Sequence, residues 1–277
     1  MNTQELASMV EAWNNIAAGY DKYVTPTGNW ALPDEALKFA GVRPGLRFLD
    51  VASGSGALSI PAARLGANVL AVDISPEMIR LLNSRADSDG LSNLEGRVMD
   101  GQNLELEDNT FDISGSQFGV MLFPDILRGL RELVRVTKPG GRVLMVAYGP
   151  PSTVEFLGFF MKAMKTVIPD FAGLPDDPPP LPFQVSDPVV LQEKMEQAGL
   201  KSIKLKSSTE RLEFYSGHDM WNWVVNSNPI PVMLVNDLTT RQKNEIRKVL
   251  DSLLQERSAG KTSAVLTAKV NIAVGTK

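Results

Sequence analysis

Apolar and polar positions along this chain alternate between two rhythms. Short apolar runs that close on a small or polar residue, Arg47–Val51, Val69–Asp73, Leu94–Met99, Phe111–Ser116 and Arg142–Tyr148, read as strands of a buried sheet. Between them lie windows with apolar residues three and four apart, Ala57–Leu65, Pro76–Ala86 and Asp125–Val136, which read as helices. Local chemistry agrees. Ser75-Pro76-Glu77 puts a capping hydroxyl before a proline at the first helical position, and Lys138-Pro139-Gly140-Gly141 reads as a turn that launches the fifth strand. Ahead of the first strand come a helical stretch over Gln4–Ala18, a turn region through Pro26-Thr27-Gly28, and a helix over Pro33–Ala40 that ends at Gly41. Strand and helix in regular alternation, with no internal repeat, predict an α/β chain built on a Rossmann-like, doubly wound sheet flanked by helices.

The pattern changes after Tyr148. Val154–Ile168 is apolar nearly all round, with Phe156, Phe160 and Met164 among its large side chains. Such a helix is either buried in the core or lines an apolar pocket above the sheet. Pro169–Pro182 carries six prolines among acids and reads as a stiff loop, either a lid or a plain surface connection. Asp187–Ala198, closed by Gly199, reads as a helix and Ile203–Phe214 as a long sixth strand. An insertion follows. Trp221, Trp223, Val224 and Val225 form an apolar cluster that Ser227-Asn228-Pro229-Ile230-Pro231 breaks, and Thr239–Arg257 is an amphipathic helix with Ile246, Val249, Leu250, Leu253 and Leu254 on one face. A seventh strand, Ala264–Val274, ends the pattern.

The chemistry concentrates at the first strand. Phe48 to Gly56 reads F-L-D-V-A-S-G-S-G: an apolar strand runs into Asp50, then into Gly54 and Gly56, then into a helix. Glycines there remove the side chains that would keep a nucleotide-like ligand from the backbone. The second strand ends in Asp73, about twenty residues beyond the glycines, where a carboxylate meets a ribose diol. A dinucleotide is disfavoured because the third glycine of G-x-G-x-x-G is replaced by Ser59. Asp50, Asp73 and Asp100, at three successive strand ends, suit a cationic ligand with hydroxyls and an amine, and would repel a pyrophosphate. Each acid alone is as readily a turn or capping carboxylate.

In these motifs the chain resembles the class I S-adenosylmethionine (SAM) dependent methyltransferases, in particular the UbiE/COQ5-like branch of ubiquinone/menaquinone C-methyltransferases and their small-molecule relatives. The likeness covers Trp13 to Tyr148 densely and the tail more loosely. It implies SAM as cofactor, S-adenosylhomocysteine as product, and a seventh strand antiparallel to its neighbours. It places Asp50, Ala52, Gly54 and Gly56 around the methionine part of SAM, and Asp73, Ile74 and Met78 near the ribose and adenine. It further matches Asp100, Gly101 and Gln102 to the loop whose acid meets the adenine amino group, and Ser116, Gln117 and Phe118 to the edge facing the transferred methyl. Tyr20, with Asp21, falls where the family's N-terminal helix closes over SAM. One departure is Ala52, where the family often has glycine.

Composition then narrows the substrate. A net charge of -4, with no run of five like charges, argues against a nucleic-acid partner. The absence of cysteine removes disulfides, thiolate nucleophiles and zinc-thiolate sites, and a single histidine removes a histidine-rich metal site. No apolar stretch suits a membrane span or a secretory leader, so a cytoplasmic protein is expected. The 277 residues read as one methyltransferase domain: an N-terminal helical cap (1–44), a SAM-binding core (45–148), and acceptor-side helices, lid and last strands (149–277) with a helical insertion between strands six and seven. The insertion's apolar surface is compatible with a homodimer.

SAM is already an activated methyl donor, so the protein's main task is to hold the acceptor in line and exclude water. The expectation is methyl transfer to oxygen or carbon of a small, mostly apolar molecule, a phenol, an enol or a quinol-like ring. Transfer to nitrogen or a carboxylate, or SAM binding without turnover, stays open. Phe156, Phe160, Met164, Trp221 and Trp223 are the candidate acceptor-lining residues. His218, in the S-G-H-D turn beside Asp219, is the one catalytic candidate, set against a surface position next to a helix cap.

Overall fold

The computed structural model describes residues 3–25, 31–175 and 177–277; the turn expected through Pro26-Thr27-Gly28 lies outside them. A helix α1 (Thr3–Gly19), continued by a π-turn over Tyr20–Val24, and a second helix α2 (Ala31–Ala40) precede the sheet. Then strands and helices alternate: β1 (Arg47–Val51), α3 (Ser59–Arg64), β2 (Asn68–Asp73), α4 (Pro76–Ser88), β3 (Leu94–Val98), β4 (Phe111–Gln117), α5 (Ile126–Val136) and β5 (Thr137–Tyr148). The remainder adds α6 (Glu155–Val167), α7 (Pro188–Gln197), β6 (Lys201–Phe214), α8 (Gly217–Ser227), α9 (Pro229–Val235), α10 (Thr240–Ser258) and β7 (Ala264–Thr276).

The seven strands form one sheet in the order β3-β2-β1-β4-β5-β7-β6. β1 to β5 are parallel, and β7 is antiparallel to both β5 and β6. Chain order reverses between β1 and β4, so their carboxyl ends flank the crevice at the switch point of a doubly wound sheet, where ligands bind.

Apolar side chains cover both faces. Leu37 of α2, Ile60 of α3 and Leu82 of α4 pack on one face against Phe48, Val69 and Leu144. Leu130 and Leu133 of α5, with Leu191 and Met195 of α7, pack on the other against Leu49, Val72 and Met145. A third cluster sits beyond the carboxyl edge: Phe160 and Met164 of α6, Trp221 and Trp223 of α8 and Leu250 of α10 close over Leu212 and Leu266. The helix starts obey capping rules. Ser75, Asp125, Asp187, Ser216 and Asn228 each accept a backbone N–H from the first turn that follows, and Thr239 with Gln242 forms a capping box.

Two local readings change. Lys138-Pro139-Gly140-Gly141 lies within β5 as a bulge, across which the pairing with β4 slips from Phe111 opposite Thr137 to Ile113 opposite Arg142. Lys277 stabilises the excursion by exchanging backbone hydrogen bonds with Gly140 and Gly141. The break at Ser227–Pro231 contains the start of α9, because Asn228 caps and Pro229 occupies the first helical position, so a proline that ends one helix begins the next.

Candidate active site

The glycine turn after β1 takes its shape from left-handed backbone. Ala52, Gly54 and Gly56 have φ of 55°, 53° and 104°. Alanine tolerates that region at a cost of about 1 kcal/mol, so the methyl at position 52 leaves the turn intact. The turn is held by Asp73 at the tip of β2: Oδ2 accepts the Gly54 N–H at 2.9 Å and Oδ1 accepts the Ser75 N–H at 2.9 Å. Burial raises the Asp73 carboxyl above its ordinary range, and the backbone donors of Ser75, Gly54 and Ile74 oppose that shift. The two glycines do different work. A Cβ on Gly54 would stand 3.3 Å from the Tyr20 ring, whereas one on Gly56 would stand 3.0 Å from Ile60 of the following helix. Gly54 opens the cleft; Gly56 lets α3 approach the sheet.

Asp50 lies beneath the turn, fully buried. The Ser59 hydroxyl donates to its Oδ2, while Oδ1 has no partner. Burial pushes its carboxyl up to about 7, Asp73 adds to the shift, and the Ser59 hydrogen bond opposes it. Ser59, the residue that replaces the third glycine, is thus the support of Asp50. On the β3 side Asp100 accepts the Gln102 N–H at 2.9 Å, and Gln102 in turn accepts the Asp125 N–H at 3.3 Å, so the loop is braced against α5.

The π-turn after α1 forms a cover. Asn14 Oδ1 accepts from the Ser75 hydroxyl at 2.6 Å and from the Glu77 N–H at 3.3 Å, Asp21 pairs with Arg85, and the Thr25 and Ser55 hydroxyls meet at 2.7 Å. These contacts lay Tyr20 over Gly54. Burial, with Asp73, Glu210 and Asp50 nearby, holds the Tyr20 hydroxyl protonated.

The opposite half of the cleft is aromatic. Phe118 takes a left-handed φ of 59° just beyond β4 and stacks on Tyr148 at 4.3 Å between ring centroids. Phe156 meets Tyr148 edge-on at 5.7 Å, and Trp223 meets Phe156 at 4.7 Å. Leu174, Pro180, Pro182 and Phe183 close this end, so the proline-rich segment borders the cleft. Gln184 anchors it by donating to the carbonyls of Met121 at 2.6 Å and Phe123 at 3.0 Å. The cleft has about 200 Å³ of space for the centres of water-sized molecules and runs unbroken from Asp73 and Asp100 to Trp223.

Of the expected cofactor set, Tyr20, Ala52, Gly54, Asp73, Ile74, Met78, Asp100, Gly101, Gln102 and Phe118 line this cleft. Asp50, Gly56 and Ser116 do not: Asp50 and Gly56 support the turn from below, and Ser116 Oγ accepts the Val120 N–H at 3.0 Å inside the core. Of the acceptor candidates, Phe156, Phe160 and Trp223 line it. Met164 and Trp221 are corrections to that set. Met164 is wholly buried, and Trp221 is packed between Phe160 and the Arg247 guanidinium, 5.0 Å from its ring centroid. His218 is a further correction. It is exposed on the first turn of α8, hydrogen-bonded to Asn222 at 2.9 Å and away from the cleft. Gly115 and Gly119 serve close packing, since a Cβ there would strike Leu144 at 2.9 Å and Ala52 at 2.5 Å respectively, and Gly119 also borders the cleft.

Tyr148 and Glu210 lie outside the expected set and line the cleft. Glu210 on β6 lines the cleft, is 9% exposed, and has Oε2 without a partner. Its signal lay in strand alternation: Glu210, Leu212 and Phe214 share the inward face of β6, and a carboxylate in that register is an anomaly that composition hides.

Unpartnered acceptor oxygens on Asp50, Gln117 and Glu210, with three acids and one glycine turn at one edge, fit a cationic ligand rich in donors. Among the described residues no group of three or more His, Asp or Glu is placed to hold a metal, and no helix is long and apolar enough to cross a membrane.

Comparison with known proteins decides the family. The model of the ubiE/COQ5 methyltransferase family matches residues 9–177, more than half of the chain. The chain belongs to that family. Among ubiE/COQ5 relatives and neighbours, an uncharacterized protein of Mycobacterium tuberculosis is 38% identical over 165 residues, covering 54% of this chain and 58% of that protein. The chain thus spans little more than half the length of that relative. A demethylmenaquinone methyltransferase of Streptomyces griseus is 33% identical over 171 residues, 61% of this chain and 71% of that one. In fold the chain is similar to phosphoethanolamine N-methyltransferase 2 of Haemonchus contortus, solved with phosphomonomethylethanolamine and S-adenosylhomocysteine. That likeness has a TM-score of 0.58 and 18% identity, over 94% of this chain and 57% of the other.

Proposed function

We propose that this ubiE/COQ5 family member is a SAM-dependent methyltransferase that acts on oxygen or carbon of a small, mostly apolar acceptor carrying a phenol, enol or quinol-like group. The observation that carries the reading is the division of one cleft into an acidic end and an aromatic end. At the acidic end, Asp73 beside Gly54 would take the ribose diol, Asp100 with Gln102 the adenine side, and Tyr20 would cover the methionine part. Asp50, with one oxygen unpartnered below, would add negative charge without contact. SAM supplies an electrophilic methyl on a sulfonium, which needs little further activation.

The chain's own residues supply orientation and dryness. Phe118, at the junction of the two ends, and the Tyr148, Phe156 and Trp223 rings would hold a planar apolar acceptor against the methyl while excluding water. The quinone-directed name of the Streptomyces griseus relative and the S-adenosylhomocysteine in the Haemonchus contortus structure support this reading. Calorimetry with SAM, S-adenosylhomocysteine and NAD tests it. Micromolar binding of the first two with none of the third is the expected result. Binding of NAD alone would refute it.

A further inference from the structure

On the reading above, we infer that Glu210 is the general base of the reaction, and that the acceptor is a neutral aromatic or enolic molecule whose ionisable hydroxyl meets the Glu210 carboxylate.

β6 pairs only with β7, Glu210 stands opposite Ala268, and the residues next along its inward face are Leu212 and Phe214, both fully buried. An ionised carboxylate in such a place costs several kcal/mol unless something pairs with it. Among the described residues nothing cationic does. The Tyr148 hydroxyl acts on the carboxyl as a donor, and among the described residues Oε2 has no partner. The acid therefore lacks one donor, and because Glu210 also lines the cleft, a ligand bound there can supply it.

Other groups around it do not fill the same role. Tyr148 from β5 and Tyr20 from the cover face Glu210, and burial raises both hydroxyls above their ordinary range, so they stay protonated near neutrality. From β6 itself, Lys206 is taken by Glu35 at 2.7 Å, and from β7, Lys269 bonds Thr209 at 3.1 Å. Phe156 and Trp223 complete the wall without charge. Burial pushes the Glu210 carboxyl up to about 7, with the Tyr148 bond opposing the shift, which is the range in which a general base works best.

Position completes the case. Tyr20 lies over Gly54, and Tyr20, Asp73 and Glu210 line the same cleft, so the acid shares one space with the cofactor end. A flat acceptor stacked along Phe118 and Tyr148 would present a ring substituent to Glu210 while an adjacent atom faces the methyl. In the step, the Glu210 carboxylate takes the hydroxyl proton and the electron pair left on oxygen forms the bond to the methyl carbon. The carbon–sulfur bond breaks with its pair retained by sulfur, giving neutral S-adenosylhomocysteine and a methyl ether. Transfer to a conjugated ring carbon reaches the same balance, since that carbon loses its hydrogen and the hydroxyl regains one. Either way one proton leaves through Glu210.

The test uses the full chain with SAM and two probes, 1-naphthol and 1-naphthylmethylamine, with S-adenosylhomocysteine titrations as the control. Glu210→Gln keeps shape and is expected to bind S-adenosylhomocysteine as the parent protein does. With 1-naphthol its kcat should fall roughly 10²- to 10⁴-fold while KM changes by less than about threefold. The parent kcat/KM should rise with pH through about 7, a rise absent from Glu210→Gln. Tyr148→Phe, which removes the bond that lowers the Glu210 carboxyl, should move that rise to higher pH, a shift that a merely structural role would not produce. Unchanged turnover in Glu210→Gln, a parent profile flat between pH 5 and 9, or parent turnover of the amine in preference to 1-naphthol would each overturn the assignment. So would S-adenosylhomocysteine binding with turnover of neither probe. Failure of the parent protein to bind S-adenosylhomocysteine would instead remove the methyltransferase reading itself.

Discussion

The two ends of the cleft are built on opposite principles. At the cofactor end, Asp73 spends both oxygens on backbone N–H groups and Asp100 braces its own loop, so each acid is part of the scaffold before any ligand arrives. At the acceptor end, side chains from β5, β6, α6 and α8 meet around a single acid with an oxygen left over. The first arrangement is local, drawn from successive strand tips of one sheet. The second is assembled from segments far apart in the chain. A local site tolerates change badly, because each ligand contact is also a fold contact. A composite site can change its walls one at a time.

The sharpest way to break that contrast is to remove a residue that belongs to neither end. Trp221→Ala empties a buried slot between Phe160 and Arg247 and should cost about 3–5 kcal/mol of stability. Denaturant unfolding measures the loss, and S-adenosylhomocysteine affinity should stay within twofold or so where the variant is folded. A large drop in affinity would mean that the third cluster supports the cofactor end after all.

Next in size is Asp73→Ala. Two backbone N–H groups lose their acceptor and the proposed ribose contact goes with them, so the Kd for S-adenosylhomocysteine should rise by 10- to 100-fold, roughly 1.5–3 kcal/mol. Unchanged affinity would separate the scaffold role from the binding role.

The pH dependence of stability tests both ends together. Asp50 and Glu210 are pushed up to about 7 by burial, whereas in the unfolded chain they ionise near ordinary carboxylate values. Over that window the folded protein holds more protons than the unfolded one, so its stability falls as pH rises from about 4 to about 7 and then levels. Thermal unfolding should accordingly show a higher Tm at pH 5.5 than at pH 8. Saturating SAM should narrow the gap, because a sulfonium near Asp50 favours the ionised acid. A Tm that climbs with pH across this range would contradict the buried, unpaired state of both carboxyls.

The smallest effect is expected for His218→Ala. The side chain is exposed on α8 and bonded only to a neighbour one turn along, so stability should change by less than about 0.5 kcal/mol and turnover not at all.

The difference between the ends also explains how far the chain could be read before its structure. β1 matches its expected span to the residue, and α4, α5, α7 and α10 start within a residue of their expected bounds, because Ser75, Asp125, Asp187 and Thr239 announce each helix by capping chemistry that acts over three or four residues. The strand-tip acids were equally visible, since a carboxylate at the end of an apolar run needs no long-range knowledge. Met164 and Trp221 could not be distinguished from Phe160 and Trp223 on composition. Which face of α6 or α8 meets the cleft depends on how α10 packs across them, a contact between residues about ninety apart for α6. Glu210 was hidden for a related reason. Its inward register is set by pairing with β7, more than fifty residues later, and only that pairing turns an ordinary glutamate into a buried one.

β6 is the outermost strand, held to the sheet through β7 alone. A slip of that one ladder by two residues would keep every inward side chain inward and carry the residue at position 210 about 7 Å along the crevice. The switch-point loops would not feel it. An edge strand that can re-register without disturbing the nucleoside grip is an adjustable jaw, and it gives this architecture a simple route by which one methyl donor comes to serve acceptors of different length.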